Sequence, residues 1–74
     1  MPTSSQRQAR LTALRAHVEA HILMLVEETN LLLDNPVGVP GHPDYFKSVE
    51  DKIAEIAEYE GILTALNRFN PNGK

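Results

Sequence analysis

The fold is decided by residues 11–33, which read LTALRAHVEAHILMLVEETNLLL. Along this stretch apolar side chains, with one threonine among them, recur every three or four residues, which is the spacing that lines one face of an α-helix. The members of this face are Leu11, Leu14, Val18, Ile22, Leu25, Thr29 and Leu32. The pattern predicts a long amphipathic helix whose apolar face packs against a second element.

The residues on either side of this stretch predict where the helix begins and ends. Ser5 and Gln8 have the spacing of a capping box, in which each side chain bonds a backbone N–H at the start of a helix. At the other end Asp34 and Asn35 precede Pro36, and proline disfavours helical geometry in the residue before it. We therefore predict a first helix over about residues 5–33 and a loop rich in proline and glycine over about residues 34–42.

A second helix is predicted over about residues 43–69, followed by a short tail at residues 70–74. Pro43 suits the first helical turn, and Asp44 complements the positive end of the helix dipole. The first half of the helix is predicted to bury Phe46, Val49, Ile53 and Ile56. A second stripe is rotated from the first by roughly a third of a turn, at about 100° per residue, and comprises Tyr59, Ile62, Leu66 and Phe69.

Length and composition limit how such helices can be stabilised. A chain of 74 residues forms at most one domain, and 42% apolar residues suffice for a folded core. The sequence contains no cysteine, so neither disulfides nor thiolate-bound metal can support the fold. We therefore predict an all-α protein, a two-helix antiparallel hairpin that dimerises into a four-helix bundle.

Several apolar side chains lie outside the face that two packed helices would bury. We predict that they bind a partner, and the set is Tyr59, Ile62, Leu66, Phe69, Leu23, Met24 and Leu31. The leading functional prediction is a small homodimeric adaptor or regulator of the inhibitor or anti-activator type, a size class that includes phage proteins. In the alternative prediction, the same stripes only complete the dimer core or are consumed in a larger structural assembly.

A second alternative is a dimeric nucleic-acid-binding protein. Arg7, Arg10 and Arg15 make the start of the chain basic and could contact phosphates. The formal net charge of −3 opposes general attraction to nucleic acid, and no helix-turn-helix or zinc-finger pattern is present.

No catalytic site, metal centre or cofactor is predicted. His17 and His21 are four residues apart and could share one metal ion, but two ligands do not make a site. The acidic residues of the second helix fit a solvated face, and no nucleophile or phosphate-binding motif accompanies them. The longest apolar run, residues 22–26, is too short to cross a membrane, and we predict a cytoplasmic protein.

Overall fold

The computed structural model describes residues 2–35 and 43–69, with side chains for residues 6–35 and 44–69. Two helices, α1 at Pro2–Asp34 and α2 at Pro43–Leu66, account for nearly all of these residues, and none of them is in a strand. The prediction of an all-helical chain with two helices is confirmed. The predicted loop residues 36–42 and the tail at 70–74 lie outside the described residues.

The helix ends differ slightly from those predicted. Since α1 begins at Pro2, Ser5 lies inside the helix rather than at its cap. The second helix, α2, ends at Leu66, three residues earlier than predicted. Residues 67–69 form a tight turn in which each N–H bonds the carbonyl three residues before it, as Phe69 N–H does to the Leu66 carbonyl at 3.0 Å. Such a tightened last turn uses carbonyl groups that the helix itself leaves without partners.

The two helices pack against each other as an antiparallel hairpin. Near the loop Tyr45 Oη donates a hydrogen bond to the Leu32 carbonyl at 3.0 Å, and further along Lys52 Nζ donates to Glu28 Oε1 at 2.8 Å. The partners of residues further along α2 therefore lie progressively earlier in α1. This register brings the start of α1 beside the end of α2.

The buried side chains of each helix follow a heptad pattern, with steps of four and three residues alternating along the whole length. The α1 line is Leu11, Arg15, Val18, Ile22, Leu25, Thr29 and Leu32, and the α2 line is Tyr45, Val49, Lys52, Ile56, Tyr59, Leu63 and Leu66. Every member of both lines is buried or half-buried. A repeat of 3.5 residues is that of a coiled coil, so these lines occupy alternating d and a positions of heptads a to g.

The structure corrects part of the predicted core. Phe46 and Ile53 are 64% and 53% exposed, so the prediction that α2 buries them is wrong, whereas Val49 and Ile56 do lie on the core line. In α1 six of the seven predicted residues lie on the line, while Leu14 is 45% exposed.

Amphipathic side chains occupy three core positions, next to the apolar residues that we predicted to be buried. Tyr45, Lys52 and Arg15 occupy core positions, where long or aromatic side chains bury their apolar parts while the polar ends find partners. Arg15 Nη2 donates to Asn67 Oδ1 at 3.2 Å, and the partners of Tyr45 and Lys52 are the Leu32 carbonyl and Glu28. A helix face chosen by hydrophobicity alone therefore misses these three positions.

The resulting core is thin. Among the side chains that the structure describes, the buried hydrophobic ones are Val18, Leu25 and Leu66, joined by Thr29, whose hydroxyl donates to the Leu25 carbonyl at 2.7 Å. A core of this size gives little stability, because small domains bury a low fraction of their surface.

The Glu28–Lys52 pair makes a pH-dependent contribution to the hairpin. The hydrogen bond from Lys52, with the attraction between the two charges, holds the pKa of Glu28 below its usual 4.5. The hydrogen bond to Glu28 likewise raises the pKa of Lys52 above its usual 10.5. The lowered pKa of Glu28 gives stability that is lost as pH falls through the folded-state value, and the raised pKa of Lys52 gives stability that is lost as pH rises through its own.

We therefore expect Glu28→Gln to lower the melting temperature slightly at pH 7, and to have a smaller effect at pH 3, because the contribution of the carboxylate is lost as pH falls through its folded-state pKa. Both side chains are partly exposed, so the difference should be small and should shrink in high salt. Thermal unfolding of both proteins at each pH measures it. An equal loss at pH 3 and pH 7 would contradict an electrostatic contribution from the pair.

Neither helix in the described part of the chain has the combination of length and apolar character that a bilayer-spanning segment requires.

Candidate interaction surfaces

The surface of the hairpin carries large hydrophobic side chains that the core leaves out. Those with high exposure are Leu14, Leu23, Met24, Leu31, Leu33, Phe46, Ile53, Ile62 and Phe69. Among residues 6–35 and 44–69, three buried hydrophobic residues against nine exposed ones is the reverse of the usual balance in a soluble domain. The heptad positions sort the exposed residues onto two opposite sides of the hairpin.

One side is formed by the b and e positions of both helices, and we call it the acidic flank. Its apolar members are Leu23, Val26, Leu33, Phe46 and Ile53, and its charged members are Glu19, Glu50 and Glu60. In an antiparallel coiled coil the e positions of the two helices lie on the same side. The helix register pairs Leu33 with Phe46, Val26 with Ile53 and Glu19 with Glu60, from the loop toward the free ends.

The opposite side is formed by the c and g positions, and we call it the mixed flank. Its exposed apolar members are Leu14, Met24, Leu31, Ile62 and Phe69. Its charged and histidine members are Arg7, Arg10, His17, His21, Glu28, Asp44, Asp51, Glu55 and Glu58. This flank therefore carries both signs of charge, with Arg10 and His17 toward the free ends and Asp44 and Asp51 toward the loop.

Two surface grooves match this division. A groove of about 410 Å³ is lined by Glu19, Ile22, Leu23, Glu60 and Leu63, which puts both carboxylates and Leu23 together on the acidic flank. A groove of about 330 Å³ on the mixed flank is lined by Glu28, Leu31, Leu32 and Asn35. Both grooves are shallow and their linings are largely apolar, but only the one on the acidic flank is lined by both helices.

The predicted partner-binding residues divide into exposed and core positions. Leu23, Met24, Leu31, Ile62 and Phe69 are exposed. Leu66 is only 7% exposed and belongs to the hairpin core, and Tyr59 is half-buried, with its ring stacked on that of His21 at a centroid distance of 4.4 Å. A partner that docks on the intact hairpin can contact these five exposed residues but not the buried side chain of Leu66.

Two of the three arginines proposed for nucleic acid bind the turn that follows α2. Arg7 Nη2 donates to the Phe69 carbonyl at 3.1 Å, and Arg15 Nη2 donates to Asn67 Oδ1 at 3.2 Å. Positive side chains at the C-terminal end of a helix also complement its dipole. These contacts give Arg7 and Arg15 a role in closing the free end of the hairpin.

The histidine pair lies on the mixed flank. The rings of His17 and His21 have their centroids 6.1 Å apart and meet edge to face, and the face of His21 is occupied by Tyr59. Within residues 2–35 and 43–69 there is no group of three histidine, cysteine, aspartate or glutamate side chains placed to hold a metal ion. The geometry of the pair is that of an aromatic cluster.

Leu33, Phe46 and Ile53 are surface residues that the sequence reasoning did not assign to any interaction surface. The signal for them was the strict alternation of four-residue and three-residue steps from Tyr45 to Leu66, which leaves Phe46 and Ile53 one position outside the core line.

No family model, no curated protein and no solved structure matches this chain.

Proposed function

We propose that this chain is a non-enzymatic protein-binding protein, an adaptor or regulator of the inhibitor or anti-activator type, which acts as a homodimer in the cytoplasm. The observation that carries the proposal is the ratio, in the described part of the chain, of nine exposed large hydrophobic residues to three buried ones. Surfaces of this kind are typical of proteins that bury them against another chain.

The dimer proposed here is a four-helix bundle formed through the mixed flank. Two hairpins related by a two-fold axis perpendicular to their length would place the free ends of one beside the loop end of the other. Arg10 of each copy would then face the region of Asp44 and Asp51 in its partner, which offsets the repulsion between the two copies of Glu58 near the axis. The exposed side chain of Met24, near the middle of the hairpin, would lie close to the axis.

The matched substitutions Met24→Glu and Leu23→Glu test this dimer. The two residues are neighbours in sequence and are 57% and 68% exposed, but they lie on opposite flanks. We expect native protein and Leu23→Glu to have twice the 8.2 kDa mass of the chain, and Met24→Glu to be monomeric at the same concentration. Light scattering coupled to size-exclusion chromatography, at several concentrations down to low micromolar, measures the mass.

Far-UV circular dichroism in the same samples distinguishes loss of the dimer from loss of the fold. A native protein that remains a folded monomer at high concentration would contradict the proposed dimer. Defined oligomers larger than a dimer would instead favour a structural subunit of a larger assembly.

A further inference from the structure

Among the described residues, the acidic flank differs from the mixed flank in carrying no positive charge, although the mixed flank has more carboxylates. Its b and e positions carry three exposed carboxylates, those of Glu19, Glu50 and Glu60, and no lysine or arginine on either helix within residues 9–33 and 46–67. Five apolar side chains lie among these acids, and Leu33, Phe46 and Ile53 are each more than half exposed. An occupant must therefore be apolar along its centre and basic at its edge.

A second copy bound through the same flank does not meet this requirement. With the two loop ends together, Glu19 and Glu60 would face their own equivalents, and no basic residue of the flank would be near them. With the copies reversed, the carboxylates of one would lie against Phe46 and Ile53 of the other. The first arrangement places like charges together and the second removes charge from water without a partner, and both are unfavourable.

We propose that the acidic flank binds an amphipathic helix of another protein that carries lysine or arginine beside its apolar stripe. This inference rests on the proposed function, because it names the chemistry of the partner that the homodimer would bind. The apolar stripe would contact Leu33, Phe46, Val26 and Ile53 in the half of the flank near the loop. The basic side chains would reach Glu19 and Glu60, which border the groove that also contains Leu23.

The dimensions of the flank set the length of the partner. Leu33 and Glu19 are separated by 14 helical steps along α1, or roughly 21 Å at 1.5 Å per residue. A partner helix of about four turns covers this distance. Small side chains at the margin, including Ala16, Ala57 and Thr64, allow a third helix to approach the two helices closely.

A labelled synthetic peptide tests the proposal directly. The probe is an 18-residue helix with leucines at heptad spacing and lysines beside them, and its control has glutamate in place of every lysine. Fluorescence anisotropy should show binding of the lysine peptide only, weakening as salt is raised. Phe46→Ser/Ile53→Ser should lower the affinity roughly a hundredfold, since two apolar anchors lose their burial.

Matched charge variants identify the carboxylates involved. Glu19→Gln/Glu60→Gln should weaken binding about tenfold at low salt. Glu27→Gln/Glu58→Gln removes the same charge from positions outside the acidic flank and should leave the affinity within about twofold of native. Absence of binding, or equal losses from the two charge variants, would overturn the proposal.

The oligomeric state separates this inference from the proposed dimer. If Phe46→Ser/Ile53→Ser becomes monomeric while Met24→Glu remains dimeric, a second copy occupies the acidic flank and both assignments fail. If Met24→Glu is monomeric and the native dimer binds no lysine peptide, only the partner assigned to the acidic flank fails. If the protein is a monomer at every concentration but the charge and apolar variants change its affinity for the lysine peptide as expected, the partner assigned to the acidic flank is supported. The proposed dimer is then wrong.

Discussion

Leu66→Asp is expected to unfold the hairpin. Leu66 is 7% exposed at the end of the α2 core line, so the substitution removes the burial of a leucine, worth about 2 kcal/mol, and places a carboxylate among apolar groups. An unpaired charge at such a site costs several kcal/mol more. A domain this small has about 5 kcal/mol of stability or less to lose. Far-UV circular dichroism should show loss of most of the helical signal at room temperature.

The matched control is Leu23→Asp, the same substitution at a residue that is 68% exposed. This variant should keep its helical content and its melting temperature within a few degrees of native. A folded Leu66→Asp protein would show that the core does not include the end of α2. That result would return Leu66 to the partner-binding residues predicted from the sequence.

The α1 core was predictable because its apolar residues are both frequent and regularly spaced. Val18, Ile22 and Leu25 lie where a helical periodicity through Leu11 and Leu32 places them, and Leu23 and Met24 fall outside that line. The prediction that Leu14 is buried was wrong, because Leu14 lies at a g position although it is more hydrophobic than Arg15. Burial follows geometry here, because Arg15 directs its guanidinium to Asn67 while its stem covers the core.

The α2 core was harder to predict because its most hydrophobic residues lie beside the core line. Phe46 and Ile53 occupy e positions on one side of it, and Ile62 and Phe69 occupy g positions on the other. The most hydrophobic residues therefore lie on one side of the core line in the first half of α2 and on the other side in the second half. In the sequence this shift resembles two separate apolar stripes. The continuous line passes through Tyr45 and Lys52, and hydrophobicity alone excludes a lysine.

The division of the surface into two flanks could not be deduced from the sequence without the register of the hairpin. Glu19 and Glu60 are 41 residues apart in the chain, and only the antiparallel pairing places them on one groove. The same pairing brings Phe46 beside Leu33. The composition of each helix was visible from the start, but the charge of the acidic flank is a property of the two helices together.

Lys52→Leu is expected to stabilise the hairpin and to weaken the specificity of its register. Lys52 occupies a half-buried d position, where coiled coils favour leucine, so the substitution should raise the melting temperature by about 5 °C. The native lysine contributes specificity instead. In the observed register its ammonium bonds Glu28 at 2.8 Å, and a slip of α2 by one heptad would place it beside His21 or Asn35. A leucine gives no such preference among registers.

The control for this prediction is Lys47→Leu, which makes the same substitution on the outer face of α2, where the lysine side chain is 72% exposed. It should not raise the melting temperature, because a leucine there stays in water. Thermal unfolding compares the two variants, and light scattering with amide hydrogen exchange reports whether Lys52→Leu populates additional assemblies or registers. A lower melting temperature for Lys52→Leu would mean that the ion pair with Glu28 outweighs apolar burial at this position. The core line would then depend on its polar members for stability as well as for register.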